Sequence, residues 1–300
     1  MPFRILIALA GLFLTGSVLA APLDVVATNP SMGALVRAVA GERLEPTILA
    51  GPERDLHQLQ AKPSLMRALR DADLVVAIGA ELEVGWLPAA IAGAANPAIQ
   101  PGRDGYFEAA AQVERLDVGG PADRALGDVH PVGNPHVDLD PVRMARIAAA
   151  LAERLARLDP DGAASYRQGA EVFAQAVERR VADWRTRLAG APGVLLYHRD
   201  AIYLLDRFGV PLLGTIESTP GVPPSGQDLL ELTTKLKGRA GVVIHAPYQS
   251  PQAPTKLARD LGWRVERLPL APPLEADGAG YLDHIERWVD AIAAARPGNR

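Results

Sequence analysis

A chain of 300 residues is long enough for two domains, each with a core of its own. Its 48% hydrophobic and 22% charged residues are the balance of a soluble globular protein, and a net charge of −4 leaves no basic surplus for nucleic acid. Aromatics at 5% argue against base- or sugar-stacking platforms, and the absence of cysteine excludes disulfides, thiolate ligands and a lipidated N-terminal cysteine.

Residues 1–21 read as a secretory signal peptide. Arg4 supplies the positive start, Ile5 to Leu14 an apolar run too short to span a bilayer, and Val18-Leu19-Ala20 a small-residue cleavage site. The mature chain is expected to be exported, soluble and without a lipid anchor, which fits the periplasm.

From Leu23 strand and helix patterns alternate. Strands are predicted at Leu23–Thr28, Leu44–Leu49, Leu74–Ile78 and Val113–Leu116, with Pro46 marking the second as an edge. Helices are predicted after a Ser31 cap, over Pro63–Asp71, near Trp86–Ala92 and over Val142–Leu158. The segment from Gly119 to Pro141 is a long loop rich in proline and glycine, and long loops in compact domains are usually functional or mobile.

Asp159 to Gly190 then reads as one long helix. Asp159 is the expected cap, Pro160 the first helical residue, and Gly190 with Pro192 the stop. Ala163, Tyr166, Ala170, Phe173, Val177, Val181, Trp184 and Leu188 form a single apolar stripe at steps of three or four. A helix of roughly 45 Å between two alternating segments reads as a strut joining two lobes.

Alternation resumes with strands predicted at Val194–Tyr197, Pro211–Ile216, Gly241–His245 and Arg264–Leu268. Helices are predicted at Asp200–Phe208, Gln227–Leu236, Ala253–Leu261 and Gly280–Ala295. The expected fold is α/β: two doubly wound lobes, residues 22–158 and 191–300, linked by the single long α-helix 159–190. Ligands of such sheets bind beyond the carboxyl ends of the strands.

Three of the six histidines fall at such ends: His57 after the second strand, His136 closing the long loop, and His198 directly after Tyr197. Two belong to the first lobe and one to the second, so a shared site would sit between them. Three neutral imidazoles are a common complement for zinc. At their ordinary pKa near 6.5, protonation of all three would weaken metal binding by about four to five orders of magnitude at pH 5.

The chain resembles the metal-specific substrate-binding proteins of bacterial ABC importers, the zinc and manganese receptors whose two lobes share one long helix. The resemblance runs through Val25-Val26-Ala27-Thr28-Asn29-Pro30, Ala72-Asp73-Leu74-Val75-Val76, Gly79-Ala80-Glu81-Leu82-Glu83, Asn134-Pro135-His136, Tyr197-His198 and Pro247-Tyr248-Gln249. It implies metal ligands at His57, His136 and His198, the third histidine marking zinc where manganese receptors carry glutamate. It implies a monomer whose cargo is a zinc ion. Its expected partners are the permease of an ABC transporter in the inner membrane and a periplasmic metallochaperone. A manganese receptor is the alternative within the family.

Two positions depart from that family. The loop after the last strand, Leu268 to Pro273, lacks the usual carboxylate, and Ala246 stands where relatives tend to carry glutamate. A fourth ligand is therefore sought at Asp277, Glu275, His245 or a water, although strand alternation turns His245 away. His130 lies in the long loop, where relatives carry metal-collecting insertions. Glu81, Glu83 and Glu217 are candidate acceptors for the ligand histidines. A three-histidine zinc hydrolase is the rival from another class, but no HExxH helix or nucleophile elbow is present. A haem or siderophore receptor would need more aromatics or clustered arginine.

Overall fold

Two four-stranded sheets, parallel throughout, organise the chain. The computed structural model describes residues 21–120 and 127–296, so the expected signal segment lies outside the described residues apart from Ala21, as does part of the long loop. The first sheet has the order β2 (Thr47–Ile48), β1 (Val25–Ala27), β3 (Leu74–Ala77), β4 (Tyr106–Glu108). The second repeats it with β6 (Leu212–Thr215), β5 (Gly193–Leu196), β7 (Gly241–His245), β8 (Arg264–Arg267). β1, β3, β5 and β7 are buried along their whole length, which explains why they read as unbroken apolar runs. β2 is an edge, as Pro46 implies.

The helices of the first half are α1 (Pro30–Ala40), α2 (Pro63–Arg70), α3 (Leu87–Ala94) and α4 (Pro141–Leu158). After α5 (Ala163–Leu188) come α6 (Ile202–Phe208), α7 (Gly226–Leu236), α8 (Gln252–Leu261) and α9 (Gly278–Ala293). Three local expectations are corrected. Asn29, not Ser31, caps α1: its side chain accepts from Met32 N at 2.9 Å, and Pro30 takes the first helical position. Asp159 and Pro160 open a short 3₁₀ turn that precedes α5. The fourth strand is Tyr106–Glu108, not Val113–Leu116. Leu116 spends its backbone groups elsewhere, its N–H on the Tyr203 hydroxyl at 2.9 Å and its carbonyl on Asn134 N at 2.8 Å.

α5 has 26 residues, about 39 Å of helix, and it is more than a strut. Tyr166, Phe173, Val177, Trp184 and Leu188 belong to one continuous core that also holds Val25 and Val76 from the first sheet and Val194 and Ile244 from the second. Gly169 lets it approach α1 closely, since a Cβ there would lie 2.2 Å from the Val39 carbonyl oxygen. α9 crosses back to pack on α1 and α5, and its Tyr281 hydroxyl donates to the Asp138 carbonyl at 2.8 Å.

The lobes are also tied by charge. Asp140 caps α4, and its fully buried carboxylate accepts from Arg143 on the same helix at 2.6 Å and from Arg207 on α6 at 2.8 Å. Nearby, the Tyr203 hydroxyl donates to the Asn134 carbonyl at 2.6 Å, and Asn134 Nδ2 to the Arg199 carbonyl at 2.8 Å. Asp140→Ala removes both the cap and the counter-charge of two arginines, and should cost about 3 kcal/mol of unfolding free energy. Urea unfolding of the metal-free protein measures this; a loss under about 1 kcal/mol would contradict it.

Candidate metal centre

Three imidazoles meet where the two sheets face each other. One ring nitrogen from each of His57, His136 and His198 lies within 4.8 Å of the other two, and the ring centroids stand 5.4 to 5.7 Å apart. Among the described residues this is the one group of histidines and acids close enough to hold a metal ion.

Each imidazole is set by a different local device. His57 lies within the loop after β2; Asp55 folds back on it, its Oδ1 accepting from His57 N at 2.9 Å and lying 3.0 Å from Nδ1. Trp86 Nε1 donates to the Leu56 carbonyl at 3.0 Å and anchors that loop. His136 is buried; its N–H donates to Asn134 Oδ1 at 3.0 Å, the same side chain that reaches across to Arg199. His198 leaves the end of β5, and its Nδ1 lies 3.1 Å from Glu217 Oε2. With Asp55 and Glu217 accepting from the two Nδ1–H groups, the lone pairs of His57 and His198 sit on Nε2. The Nε2 of His136 is buried and has no hydrogen-bond partner. A buried nitrogen left without a partner is costly, and a metal ion would satisfy it.

A family model described as ZnuA, zinc-uptake complex component A, periplasmic, matches residues 25–295. The chain belongs to this family. It is 28% identical over 212 residues to the high-affinity zinc uptake system protein ZnuA of Paracoccus denitrificans, an alignment covering 62% of this chain and 64% of the relative. With the Yersinia pestis protein of the same description it shares 25% identity over 285 residues, 88% of either chain. A crystal structure of ZnuA superposes with a TM-score of 0.78 at 23% identity, covering 92% of this chain and 99% of the other, and shares its fold.

Measured against the ZnuA family, the fourth position stands out. The loop after β8 does reach the site, but Leu270 and Ala271 are what line the 30 Å³ cavity beside His57, His136 and Asp138. The sequence-based candidates lie elsewhere. Asp277 caps α9, accepting from Gly280 N at 2.9 Å, and faces a groove beside Phe173 and Ala38. Glu275 is exposed between Leu274 and Ala276, whose carbonyls accept from Arg37 at 2.7 and 3.0 Å. His245 turns Nδ1 to the Ala246 carbonyl at 3.0 Å. The residue the sequence undervalued is His130, whose Nε2 is 3.2 Å from His57 Nε2. Only its position in the long loop hinted at this.

Glu217 fills the acceptor role expected of it. Glu83 instead closes the ends of β1 and β3, accepting from Thr28 Oγ1 at 2.8 Å and from Ile78 N and Gly79 N at 2.9 Å. Further acids ring the site: burial pushes Asp138 and Asp200 up to about 6, the latter against the pull of His198.

The histidines titrate differently. Burial, then the neighbouring imidazoles, hold His136 well below 6.5, so it stays neutral in mild acid. Burial would lower His198 too, but the Glu217 hydrogen bond and the charges of Asp200, Glu217 and Asp128 outweigh it and raise it above 6.5. Proton competition at His198 therefore starts at a higher pH than for a free imidazole, while His136 contributes none. Binding should thus weaken with acid less steeply than the roughly three decades per pH unit of three freely titrating ligands. Glu217→Gln lets the His198 pKa fall, so the acid loss begins at lower pH, while zinc affinity at pH 8 drops about tenfold. Zinc titrations from pH 8 to 5 test both; parallel curves for parent and variant would refute the coupling.

Proposed function

We propose that this protein captures zinc in the cleft between its lobes and delivers it to the permease of an ABC importer. The observation that carries the reading is the convergence of His57, His136 and His198, with a buried His136 nitrogen awaiting a partner. Neutral nitrogen donors favour zinc over manganese, which prefers oxygen. The nearby carboxylates of Asp55 and Glu217 are already engaged on the far side of the imidazoles. The names of the Paracoccus and Yersinia relatives agree with zinc uptake. We read the protein as a receptor and not a hydrolase: the cavity against His57 and His136, at 30 Å³, is the size of an ion or a water.

The family is described as periplasmic, and no helix among the described residues is long and apolar enough to cross a membrane. We place the mature protein there as an unlipidated monomer, exported by the signal read at residues 1–21 and met by the permease and a loading metallochaperone.

Protein purified without added metal and then titrated should bind one zinc per chain tightly, by elemental analysis and competition with a chromogenic chelator. His57→Ala, His136→Ala and His198→Ala should each weaken binding by at least about a hundredfold while circular dichroism stays unchanged. Parent-like binding in all three would end the assignment.

Zinc should load with little movement of the lobes, because the Asp140–Arg207 pair and the shared core already hold them together. Small-angle scattering should give the same radius of gyration with and without zinc. A contraction of several ångströms would contradict it.

A further inference from the structure

Residues 127–130 leave the first lobe and lie across the second. Asp128 N donates to the Pro220 carbonyl at 3.1 Å. Gly127, at φ +97°, packs so closely that a Cβ would fall 1.9 Å from the Pro220 oxygen. Gly221 sits against the Asp128 carboxylate on one side, and its N–H donates to Glu217 Oε2 at 3.0 Å on the other. That Glu217 oxygen is the one facing His198 Nδ1. The strap and a ligand histidine thus share one hydrogen-bonded loop of the second lobe. Beyond the strap the chain turns back, with Gly133 N donating to the His130 carbonyl at 3.0 Å and Gly119 N to the Pro131 carbonyl at 3.0 Å.

The strap delivers His130 to the metal centre. Its ring centroid is 5.2 Å from that of His57, and the two Nε2 atoms are 3.2 Å apart, so it joins the cluster through His57 from just outside the group of three. Two nitrogens bound to one tetrahedral zinc at 2.0–2.1 Å stand about 3.3–3.4 Å from each other. A metal-free pair at this distance shares a proton, and with Asp55 holding the His57 Nδ1–H, His130 is the donor. His130 and His198 also line an open pocket of 360 Å³, so His130 stands between the cluster and solvent.

We propose that His130 is the fourth zinc ligand, taking the position where a carboxylate would be expected and making the site all-imidazole. The proposal rests on the zinc-receptor reading. It accounts for the apolar Leu270 and Ala271 in the carboxylate's place and for Asp277 and Glu275 being held away from the site. Four neutral imidazoles leave the double charge of zinc to be balanced at one remove. Asp55 and Glu217 do so through the His57 and His198 rings, with Asp128, Asp138 and Asp200 around them. The strap makes the fourth bond a link between lobes, so zinc release requires it to lift from Pro220.

X-ray absorption of the zinc-loaded parent should show four imidazoles, falling to three plus one oxygen in His130→Ala. That variant should bind zinc about ten- to a hundredfold more weakly and release it faster to a chelator in stopped flow. Gly127→Ala keeps all four histidines in the sequence but displaces the strap that carries His130; it should raise the release rate in the same direction. Three imidazoles plus oxygen in the parent, with parent-like affinity and release in His130→Ala, would overturn the proposal and leave the three-histidine receptor standing. Failure of the parent to bind zinc at all would overturn both.

Discussion

A fully buried carboxylate shared by two arginines holds this molecule in one shape. Asp140 starts α4, takes a charge from that helix through Arg143 and takes another from the second lobe through Arg207. An ion pair out of water is tolerated only when its hydrogen bonds are complete, and a broken one is severely penalised. Relative motion of the lobes would strand Asp140, so that motion is opposed at every step. His136 lies four residues before Asp140 and His198 nine residues before Arg207. Fixing the pair therefore fixes the separation of the two imidazoles.

The same economy of charge governs the metal centre. Its imidazoles must be neutral to bind zinc, yet zinc brings two positive charges into a cleft of low dielectric. The surrounding acids answer this without touching the ion, two of them through the far nitrogens of His57 and His198. This arrangement has a cost in acid, because the same negative charges raise His198. His136, the most buried of the three and without a hydrogen-bonded acid on its ring, moves the other way. One ligand of the set is thus permanently ready, and another carries the pH response.

Much of the architecture was legible before any coordinates. Buried parallel strands announce themselves as apolar runs, and the stripe from Tyr166 to Leu188 could be read at helical period. The failures were local. Val113–Leu116 has the composition of a strand, but Tyr203 and Asn134 claim the backbone groups of Leu116, and these partners lie far off in sequence. Asp277 looked free to fold over the cleft, yet it is consumed as a helix cap. The long helix was read as a strut joining two lobes, and it does join them, but its apolar stripe is also filled by both lobes at once. A stripe has the same period whether it meets one partner or two.

By itself, the sequence determined the alternation of strands and helices, the helix that joins the halves, and the three histidines placed after strand ends or at a loop's close. These follow from periodicity and from short-range turn and capping chemistry, which a linear reading can see. Only the tertiary structure decided which nitrogen of each ring faces inward, which acids stand behind them, and that His130 reaches His57. Those facts depend on contacts between residues such as Gly127 and Pro220, 93 positions apart in the chain and touching only after both lobes have folded. No local propensity encodes such a meeting.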